Sequence, residues 1–400
     1  MNNDVEEYLK RTGEMSADAP AGAPTDAAAT AKAAVLAEAL LDPSVDCDSK
    51  IAQIAAAIAP YDEAAAGACK KNWDAIAKPL ESLGALEDDV IRIAGLTGTP
   101  NVKLDKRAVV VMCADNGVVE EGITQTGQDV TAIVAGNIVH HDTSVCRMAN
   151  VGNADTLAVN MGMVFDAPGT IDRQVAPQTA NFTKQPAMTR AQAWQAIAAG
   201  IEVVAALSQL GYKLIATGEM GIGNTTTSSA LASILMDMPV EQVTGRGAGL
   251  SDEGLQRKVA AIHKGIEVNQ PDPGNALDCL AKLGGFDIAG LVGVFLGGAI
   301  CKVPILIDGL ISACAALVAY RMCRGSRVAM LASHISSEPA APRILEELNL
   351  RPLICAGMHL GEGTGAVCAM PLLDMGLAVY AEMVSFDDIQ IEAYVPLGGE

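Results

Sequence analysis

The sequence predicts an α/β protein in which a parallel sheet is flanked by helices. Half of its 400 residues are apolar but only 3% are aromatic, and the abundance of Ala, Gly, Val, Leu and Ile favours helices packed on a parallel sheet over a β-sandwich. From Ala108 onward, short β-branched runs alternate with longer amphipathic segments, which is typical of successive βαβ units. A chain of this length can bury a sizeable core in one large domain or in two or three smaller ones.

Six short apolar runs are the predicted strands. They span residues 108–113, 156–162, 213–218, 303–308, 328–333 and 352–355. Polar or turn-forming residues follow several of these runs, namely Asp115, Glu219, Asp308, Gly309 and Ser333. The carboxyl ends of parallel strands meet at one edge of a sheet, where ligands bind beside helix N-termini. We therefore expect a binding site at that edge, with these residues in it.

Composition divides the chain into four segments. Residues 1–45 form a low-complexity extension, in which residues 16–29 carry too little large apolar surface to fold alone and residues 30–41 fit a short helix. The remaining segments are a helical stretch at 46–105, a large α/β domain at 106–355 and a C-terminal segment at 356–400.

Charge and cysteine usage exclude several function classes. The formal net charge of −20 would repel nucleic acid and anionic membranes, so neither is an expected partner. The ten cysteines include no C-x-x-C pair and no zinc-like Cys/His cluster, and the sequence begins without a basic stretch leading into an apolar one. These features predict a reduced cytoplasmic protein without disulfides or a metal. The longest uncharged runs, 288–301 and 309–320, are shorter than the roughly 18 residues that span a bilayer.

The stretch G-E-M-G-I-G-N-T at residues 218–225 has the spacing of a nucleoside-triphosphate P-loop, with Asn224 where such a loop needs lysine. Its glycines permit a turn with converging backbone N–H groups, and the short polar side chains after them suit capping of the next helix. Without the lysine, a monophosphate fits better than a triphosphate. The alternative is a turn without a ligand. The residues predicted to bind substrate here are Met220, Gly221, Gly223, Asn224, Thr225 and Thr226.

A second glycine-rich stretch, HLGEGTGAVCAM, carries Glu362 between Gly361 and Gly363. There the backbone can take unusual dihedral angles and the carboxylate can approach a ligand closely. Partial desolvation would raise the pKa of that carboxyl enough for it to act as a general base. The alternative interpretation is a surface glutamate in a flexible loop.

A third stretch, TGRGAGLSDEGLQRKVAAIHKGI, opens a helix that Ser251 is expected to cap. Lys258 lies in the turn after its glycine run and is the basic residue there that we expect to reach a ligand. The alternative is a solvated basic helix face.

Seven motifs in order resemble the nicotinate-nucleotide:dimethylbenzimidazole phosphoribosyltransferase family, over roughly residues 50–395. They are KPLESLGALEDDVIRIAGLTGTP, VVVMCADNGVVEEGI, GEMGIGNTTTSSAL, GRGAGLSDEGLQRK, LIDGLISACAAL, SHISSEP and LGEGTGA. The resemblance implies a Rossmann-like parallel sheet, a smaller helical domain built from segments 46–105 and 356–400, and a homodimer. It also implies transfer of phosphoribose from nicotinate mononucleotide to a lower-ligand base, usually 5,6-dimethylbenzimidazole, in cobamide biosynthesis.

The resemblance implies that Glu362 is the general base and that Glu219 and Lys258 are functionally important polar positions. A carboxylate that accepts the ring N–H proton of a benzimidazole makes the other ring nitrogen a better nucleophile toward C1′ of the ribose. Glu219 would stabilise positive charge that develops on the sugar. Attack from the opposite face would invert the β-linked nucleotide to α-ribazole 5′-phosphate and release nicotinate, with no metal or cofactor required.

Departures from the family pattern leave the identity of the acceptor base undetermined. Asn116 replaces the histidine of the A-D-H-G segment, Glu81 replaces a glycine of the first motif, and residues 124–131 lack the aromatic and proline often seen in the base pocket, although Gln128 remains. A family variant that uses adenine or a phenolic base, as part of a heteromer, is therefore the first alternative. A non-catalytic nucleotide-binding subunit is the second. A P-loop hydrolase is disfavoured because Asn224 replaces the lysine.

Overall fold

The computed structural model describes residues 3–15 and 26–394, so most of the predicted low-complexity stretch 16–29 lies outside the described residues. The helices are α1 (Asn3–Thr12), α2 (Ala27–Leu40), α3 (Cys47–Ala57), α4 (Glu63–Ala75), α5 (Ala85–Thr97), α6 (Asp129–Val139), α7 (Ser144–Gly152), α8 (Arg190–Gln209), α9 (Asn224–Leu235), α10 (Val240–Val243), α11 (Asp252–Asn269), α12 (Ala276–Leu283), α13 (Phe286–Cys301), α14 (Leu310–Met322), α15 (Ala341–Glu347) and α16 (Thr364–Glu382). The strands are β1 (Arg107–Ala114), β2 (Asp155–Gly162), β3 (Ile171–Asp172), β4 (Leu214–Met220), β5 (Ile305–Ile307) and β6 (Met330–Ala332). Two 3₁₀ turns, Gly117–Glu121 and Arg324–Ala329, complete the elements.

One six-stranded sheet organises the fold, with the order β3-β2-β1-β4-β5-β6. Every neighbouring pair is parallel, so the α/β prediction with a parallel sheet is confirmed. The strand order reverses between β1 and β4. In open parallel sheets, the crevice beyond the carboxyl ends of the strands at such a reversal is the usual binding place.

Two of the strand predictions need correction. The run 352–355 is not a strand of the sheet, because Ile354 makes only an isolated bridge to His334. Conversely, β3 was not predicted, since its two residues are too few to show a pattern of their own. Strand β3 is recognisable only from its pairing of Ile171 with Val159 of β2.

Helices cover both faces of the sheet. Helices α13 and α14 pack on one face, with α8 packed against α13, while α6, α7 and α16 cover the other. Every residue of α13 is buried. Gly200 of α8 and Gly293 of α13 allow these two helices to touch backbone to backbone, because a Cβ at Gly200 would lie 2.0 Å from the carbonyl oxygen of Gly290. This contact therefore needs glycine at both positions.

The described residues of the N-terminal extension pack on the sheet and its helices. The backbone N–H of Ala158 donates to the hydroxyl of Tyr8, at 3.1 Å, and the N–H of Thr156 donates to Glu14, at 2.8 Å. Both donors belong to β2, whose outer edge the two-residue β3 covers only in part. Residues 3–15 thus provide hydrogen-bond acceptors for N–H groups at the edge of β2 that would otherwise be unpaired. The predicted helix at 30–41 is confirmed as α2, which packs against α8.

Segments from both ends of the chain meet beside the sheet. Backbone hydrogen bonds join Ala77 to Val384 and Phe386 to Ala75, both at 3.0 Å, and α16 packs along α5. Within the described residues, α16 is the one helix long and apolar enough to cross a membrane. It packs against α7 and β4, as a core helix does.

Candidate active site

A cavity of about 340 Å³ opens at the carboxyl edge of the sheet, among the segments that follow β4, β5 and β6. The sequence-predicted residues that line it are Glu219, Met220, Gly221, Gly223, Asn224, Thr225, Asp308, Gly309, Gly361 and Glu362. The further polar side chains that line it, and that the site prediction did not include, are Thr124, Gln125, Thr126, Arg246, His334, Ser336, Glu338, His359 and Thr364. We call this space the carboxylate cavity, because four of its lining side chains are acidic.

Glu362 stands at the tip of a left-handed loop. Gly361, Glu362 and Gly363 have φ angles of 90°, 61° and 97°, and a glutamate in this conformation stores strain of a kind that concentrates at functional sites. The loop also packs tightly, since a Cβ at Gly218 would lie 2.4 Å from the carbonyl oxygen of Glu362. Burial raises the pKa of Glu362 and Asp308 adds to this, while the N–H of Val145, 3.4 Å from Oε2, opposes it. The predicted environment of a general base is therefore present.

Asp308 holds the loop that carries Glu362. Its Oδ2 accepts the N–H of Gly363 at 3.2 Å, and its Oδ1 accepts the N–H of Ala366 at 3.0 Å. Burial raises the pKa of Asp308 to about 6, against the lowering effect of these N–H groups. Because the N–H of Gly363 is already used, Gly363 contributes its conformation to the site, and it does not itself line the cavity.

Asn224 links two buried acids. Its side-chain amide donates to Glu219 and, at 3.0 Å, to Asp287 in the first turn of α13. Burial, and then the charge of Asp287, raises the pKa of Glu219 well above its ordinary value, and burial raises the pKa of Asp287 to about 7. Raised pKa values of this kind favour a ligand that carries a positive charge, because such a charge would stabilise the ionised forms of the two acids.

The expected capping role of Asn224 is wrong. The residue that caps α9 is Gly223, with a φ of 96° and no side-chain cap, and Asn224 is turned toward the acids instead. Asp287 was missed by the sequence reasoning, although it offered a signal as a charged residue at the start of the apolar helix α13. Asn116, the departure from the A-D-H-G segment, lies under the turn, where its amide donates to the carbonyl of Ile222 at 3.4 Å.

Lys258 lies behind the glycine turn and does not line the cavity. Its ammonium donates to Oγ1 of Thr225 at 2.8 Å and to the carbonyl of Gly245 at 3.1 Å. Burial lowers the pKa of Lys258 to about 8, against the raising effect of Glu338. The helix N-terminus of α9 and this cation together attract an anion to the mouth of the turn. The predicted cap of α11 is confirmed, because Ser251 accepts the N–H of Gly254 at 3.2 Å.

Four other predicted residues lie outside the cavity lining. Asp115 accepts the N–H of Val164 at 2.9 Å, and Gln128 donates to Gln178 at 2.7 Å. The hydroxyl of Ser333 donates to the carbonyl of Ile307, and the Thr226 hydroxyl is buried and has no hydrogen-bond partner in the described part of the chain. Over residues 3–15 and 26–394, no group of three or more His, Cys, Asp or Glu side chains is arranged to hold a metal ion.

The sequence of this chain matches a family model and several named enzymes over most of its length. The family model described as phosphoribosyltransferase matches residues 58–391. The nicotinate-nucleotide–dimethylbenzimidazole phosphoribosyltransferase of Acetivibrio thermocellus is 46% identical over 329 residues, which cover 82% of this chain and 94% of that protein. The enzyme of the same name from Ruminiclostridium cellulolyticum is 44% identical over 330 residues, with the same two coverages of 82% and 94%.

Solved structures share the fold over most of the chain. A nicotinate-nucleotide–dimethylbenzimidazole phosphoribosyltransferase from Thermus thermophilus superposes with a TM-score of 0.77 at 35% identity, covering 83% of this chain and 99% of that one. A structure of CobT from the same organism gives a TM-score of 0.78 at 36% identity, covering 83% of this chain and all of that one, at 100%.

Proposed function

This chain belongs to the nicotinate-nucleotide–dimethylbenzimidazole phosphoribosyltransferase family, as its seven ordered motifs predicted, and we propose that it transfers phosphoribose from nicotinate mononucleotide to 5,6-dimethylbenzimidazole. The products are nicotinate and α-ribazole 5′-phosphate, a step of cobalamin biosynthesis. The observation that carries the proposal is the carboxylate cavity, where Glu362 and Glu219 lie beside the N-terminus of α9.

The charges of the cavity match those of the donor substrate. The ring nitrogen of nicotinate mononucleotide is positively charged, and burial raises the pKa values of Glu219 and Asp308 at the cavity wall. A pyridinium ring among these acids favours their ionised forms. At the other end of the nucleotide, the 5′-phosphate fits the N-terminus of α9, with the ammonium of Lys258 behind it.

In the proposed reaction, the carboxylate of Glu362 accepts the ring N–H proton of the base while the other ring nitrogen attacks C1′. The bond between C1′ and the pyridinium nitrogen breaks, and its electron pair neutralises the ring, so the leaving nicotinate needs little acid catalysis. Glu219, once ionised beside the cationic substrate, stabilises the positive charge on the ribose. The cavity holds both substrates in line, which contributes much of the rate enhancement.

The transferase assay tests this proposal directly. Purified protein is incubated with nicotinate mononucleotide and each of dimethylbenzimidazole, adenine and phenol, and the products are identified by mass spectrometry. We expect α-ribazole 5′-phosphate from dimethylbenzimidazole, with a rate that falls by about 10²- to 10⁴-fold in Glu362→Gln. Absence of any turnover of the mononucleotide would instead support a non-catalytic binding subunit.

Adenine is the second candidate acceptor. Thr124, Gln125 and Thr126 line the cavity and provide hydroxyl and amide groups where the family pattern has an aromatic and a proline. Such groups can hydrogen-bond an exocyclic amine, which dimethylbenzimidazole lacks. The adenine arm of the assay decides this point, because a kcat/KM for adenine above that for dimethylbenzimidazole would make adenine the preferred base.

We also propose a homodimer in the cytoplasm. The family resemblance supports the homodimer, and the free cysteines support a reducing compartment, since the described structure contains ten of them without a disulfide. Light scattering on the purified protein measures the assembly mass, and a monomer would contradict the proposal.

A further inference from the structure

A second cavity, of about 810 Å³, lies between helices α3 to α5 and the 3₁₀ turn Arg324–Ala329. Four arginines line it: Arg92, Arg324, Arg327 and Arg351. We call it the arginine cleft. In the described structure it shares no lining residue with the carboxylate cavity, so the reaction proposed above does not use it.

The concentration of arginine is unusual for a chain with a net charge of −20. The positive charge of Arg351 is balanced by an ion pair, because its Nη1 lies 3.0 Å from Oδ2 of Asp88. Arg324 donates to the hydroxyl of Tyr320 at 2.7 Å and lies over its ring, so it keeps its positive charge. A guanidinium has five N–H donors in a planar fork, and most of those of Arg324 have no partner within residues 3–15 and 26–394.

Arg92 and Arg327 have few hydrogen-bond partners among the described residues. Arg327 makes one hydrogen bond, to the carbonyl of Leu348 at 3.2 Å, and Arg92 makes no hydrogen bond or ion pair with any described residue. Burial, and then the neighbouring charge of Arg327, lowers the pKa of Arg92. Two partly buried guanidinium groups that repel each other are stabilised by an anion between them.

Asp89 supplies a second polar group in the same cleft. The residue is only 6% exposed, and its Oδ2 has no hydrogen-bond partner among the described residues. Burial raises the pKa of Asp89 to about 8, against the lowering effect of Arg92. A carboxyl that keeps its proton at neutral pH does not cancel the charge of Arg92, and it can both donate and accept a hydrogen bond. The other acids that line the cleft are Asp88, which pairs with Arg351, and Glu63.

We propose that the arginine cleft binds a phosphate monoester of the size of a sugar phosphate, with the guanidinium groups of Arg92 and Arg327 on the phosphate and Asp89 on a hydroxyl group of the sugar. Paired guanidinium forks match the dianionic, multidentate phosphate group better than they match a single carboxylate. The volume of about 810 Å³ far exceeds that of inorganic phosphate, which indicates that the phosphate belongs to a larger organic ligand.

Calorimetric titration of the full-length protein with ribose 5-phosphate tests the proposal, with ribose and inorganic phosphate as the other two ligands. The carboxylate cavity is expected to bind the sugar phosphate too, so the variants separate the two sites. In the titration with ribose 5-phosphate, we expect Arg92→Gln and Arg327→Gln each to raise the dissociation constant of one of the two binding sites at least tenfold. That site is the arginine cleft. The matched control is Arg343→Gln, which changes an exposed arginine paired with Glu346 outside the cleft.

The transferase reaction provides the independent readout. Neither cleft variant should change its kcat/KM by more than about twofold, because no cleft residue lines the carboxylate cavity. Unchanged titrations in both variants would overturn the proposal, as would ribose binding as tightly as ribose 5-phosphate. Parallel loss of transferase activity in folded variants would also overturn it, since the cleft would then belong to the catalytic machinery. Arg327 lies in a surface turn, so its variant keeps the test valid if Arg92→Gln does not fold.

Discussion

In the proposed reaction, Glu362 acts as a base only when its carboxyl group is ionised. Burial raises its pKa above the ordinary 4.5, so the protonated, inactive form persists to higher pH than it would for an exposed glutamate. Glu219 and Asp287 are more deeply buried, and burial raises the pKa of Glu219 well above its ordinary value and that of Asp287 to about 7. Burial thus raises the pKa values of neighbouring acids to different extents, and the less buried Glu362 is the group that we propose as the base.

The pH dependence of the reaction follows from that assignment. We expect kcat/KM to fall as the pH is lowered, with the midpoint of the fall above 4.5, since the raised pKa of Glu362 moves the acidic limb upward. The measurement is a pH–rate profile with dimethylbenzimidazole. In Glu362→Gln the residual rate should lose this limb, whereas Glu362→Asp should keep one. An identical limb in the Gln variant would assign the titration to another group.

At the scale of elements, β4 and the loop before α16 form one unit. Gly218 lies in β4, and its missing side chain makes room for the carbonyl of Glu362. Gly361 approaches Glu219 in the same way, because a Cβ at Gly361 would lie 2.7 Å from Oε1 of that glutamate. The positions of the two carboxylates therefore depend on glycines in each other's segments, namely Gly218 and Gly361.

Gly218→Ala tests this contact. The new Cβ would lie 2.4 Å from a backbone atom that cannot turn aside, so the loop must move and Glu362 with it. We expect a fall in kcat of at least about tenfold, together with a loss of about 1–3 kcal/mol of unfolding free energy. The assay and urea unfolding measure the two effects.

Gly136→Ala is the matched control, because a Cβ at Gly136 in α6 has no neighbour within 4 Å. That variant should keep its activity and gain up to about 1 kcal/mol from helix propensity. Full activity in Gly218→Ala would contradict the proposed coupling between β4 and the base loop.

For the whole molecule, buried acids link stability to pH. Burial raises the pKa of Asp287 to about 7, of Asp308 to about 6 and of Asp89 to about 8. Each of these groups binds a proton more tightly in the folded chain than in the unfolded chain. Between the ordinary pKa of 3.8 and the raised value, the folded state therefore holds more protons, and stability falls as the pH rises.

Asp287→Asn isolates one of these contributions. The wild-type unfolding free energy should fall between about pH 4 and pH 7, by about 1.4 kcal/mol per pH unit for each fully protonated group. An asparagine imitates the protonated acid, and the amide of Asn224 can flip to receive its N–H. Urea unfolding at pH 5, 6 and 7 should give a shallower slope for the variant by about that amount. Equal slopes would show that Asp287 does not hold the proton.

The sequence by itself determined the alternating α/β architecture and most of the chemistry-bearing segments. Five of its six predicted strands correspond to strands of the sheet. They could be predicted because a strand that is buried on both faces is a contiguous run of apolar residues. Glycine on both sides of Glu362 likewise predicted its unusual backbone, since a positive φ is a local requirement. Ordered motifs identified the family for the same reason: each is a short contiguous stretch.

Only the tertiary structure decided which distant groups meet. Asp287 reaches Asn224 from 63 residues away, and Lys258 turns toward Thr225 behind the glycine loop, where the sequence had suggested contact with the ligand. Strand β3 and the convergence of Arg92 with Arg327 have no local pattern at all. Such contacts depend on how the helices pack on the sheet. Packing brings together residues that are far apart in the sequence, so no short segment predicts these contacts by itself.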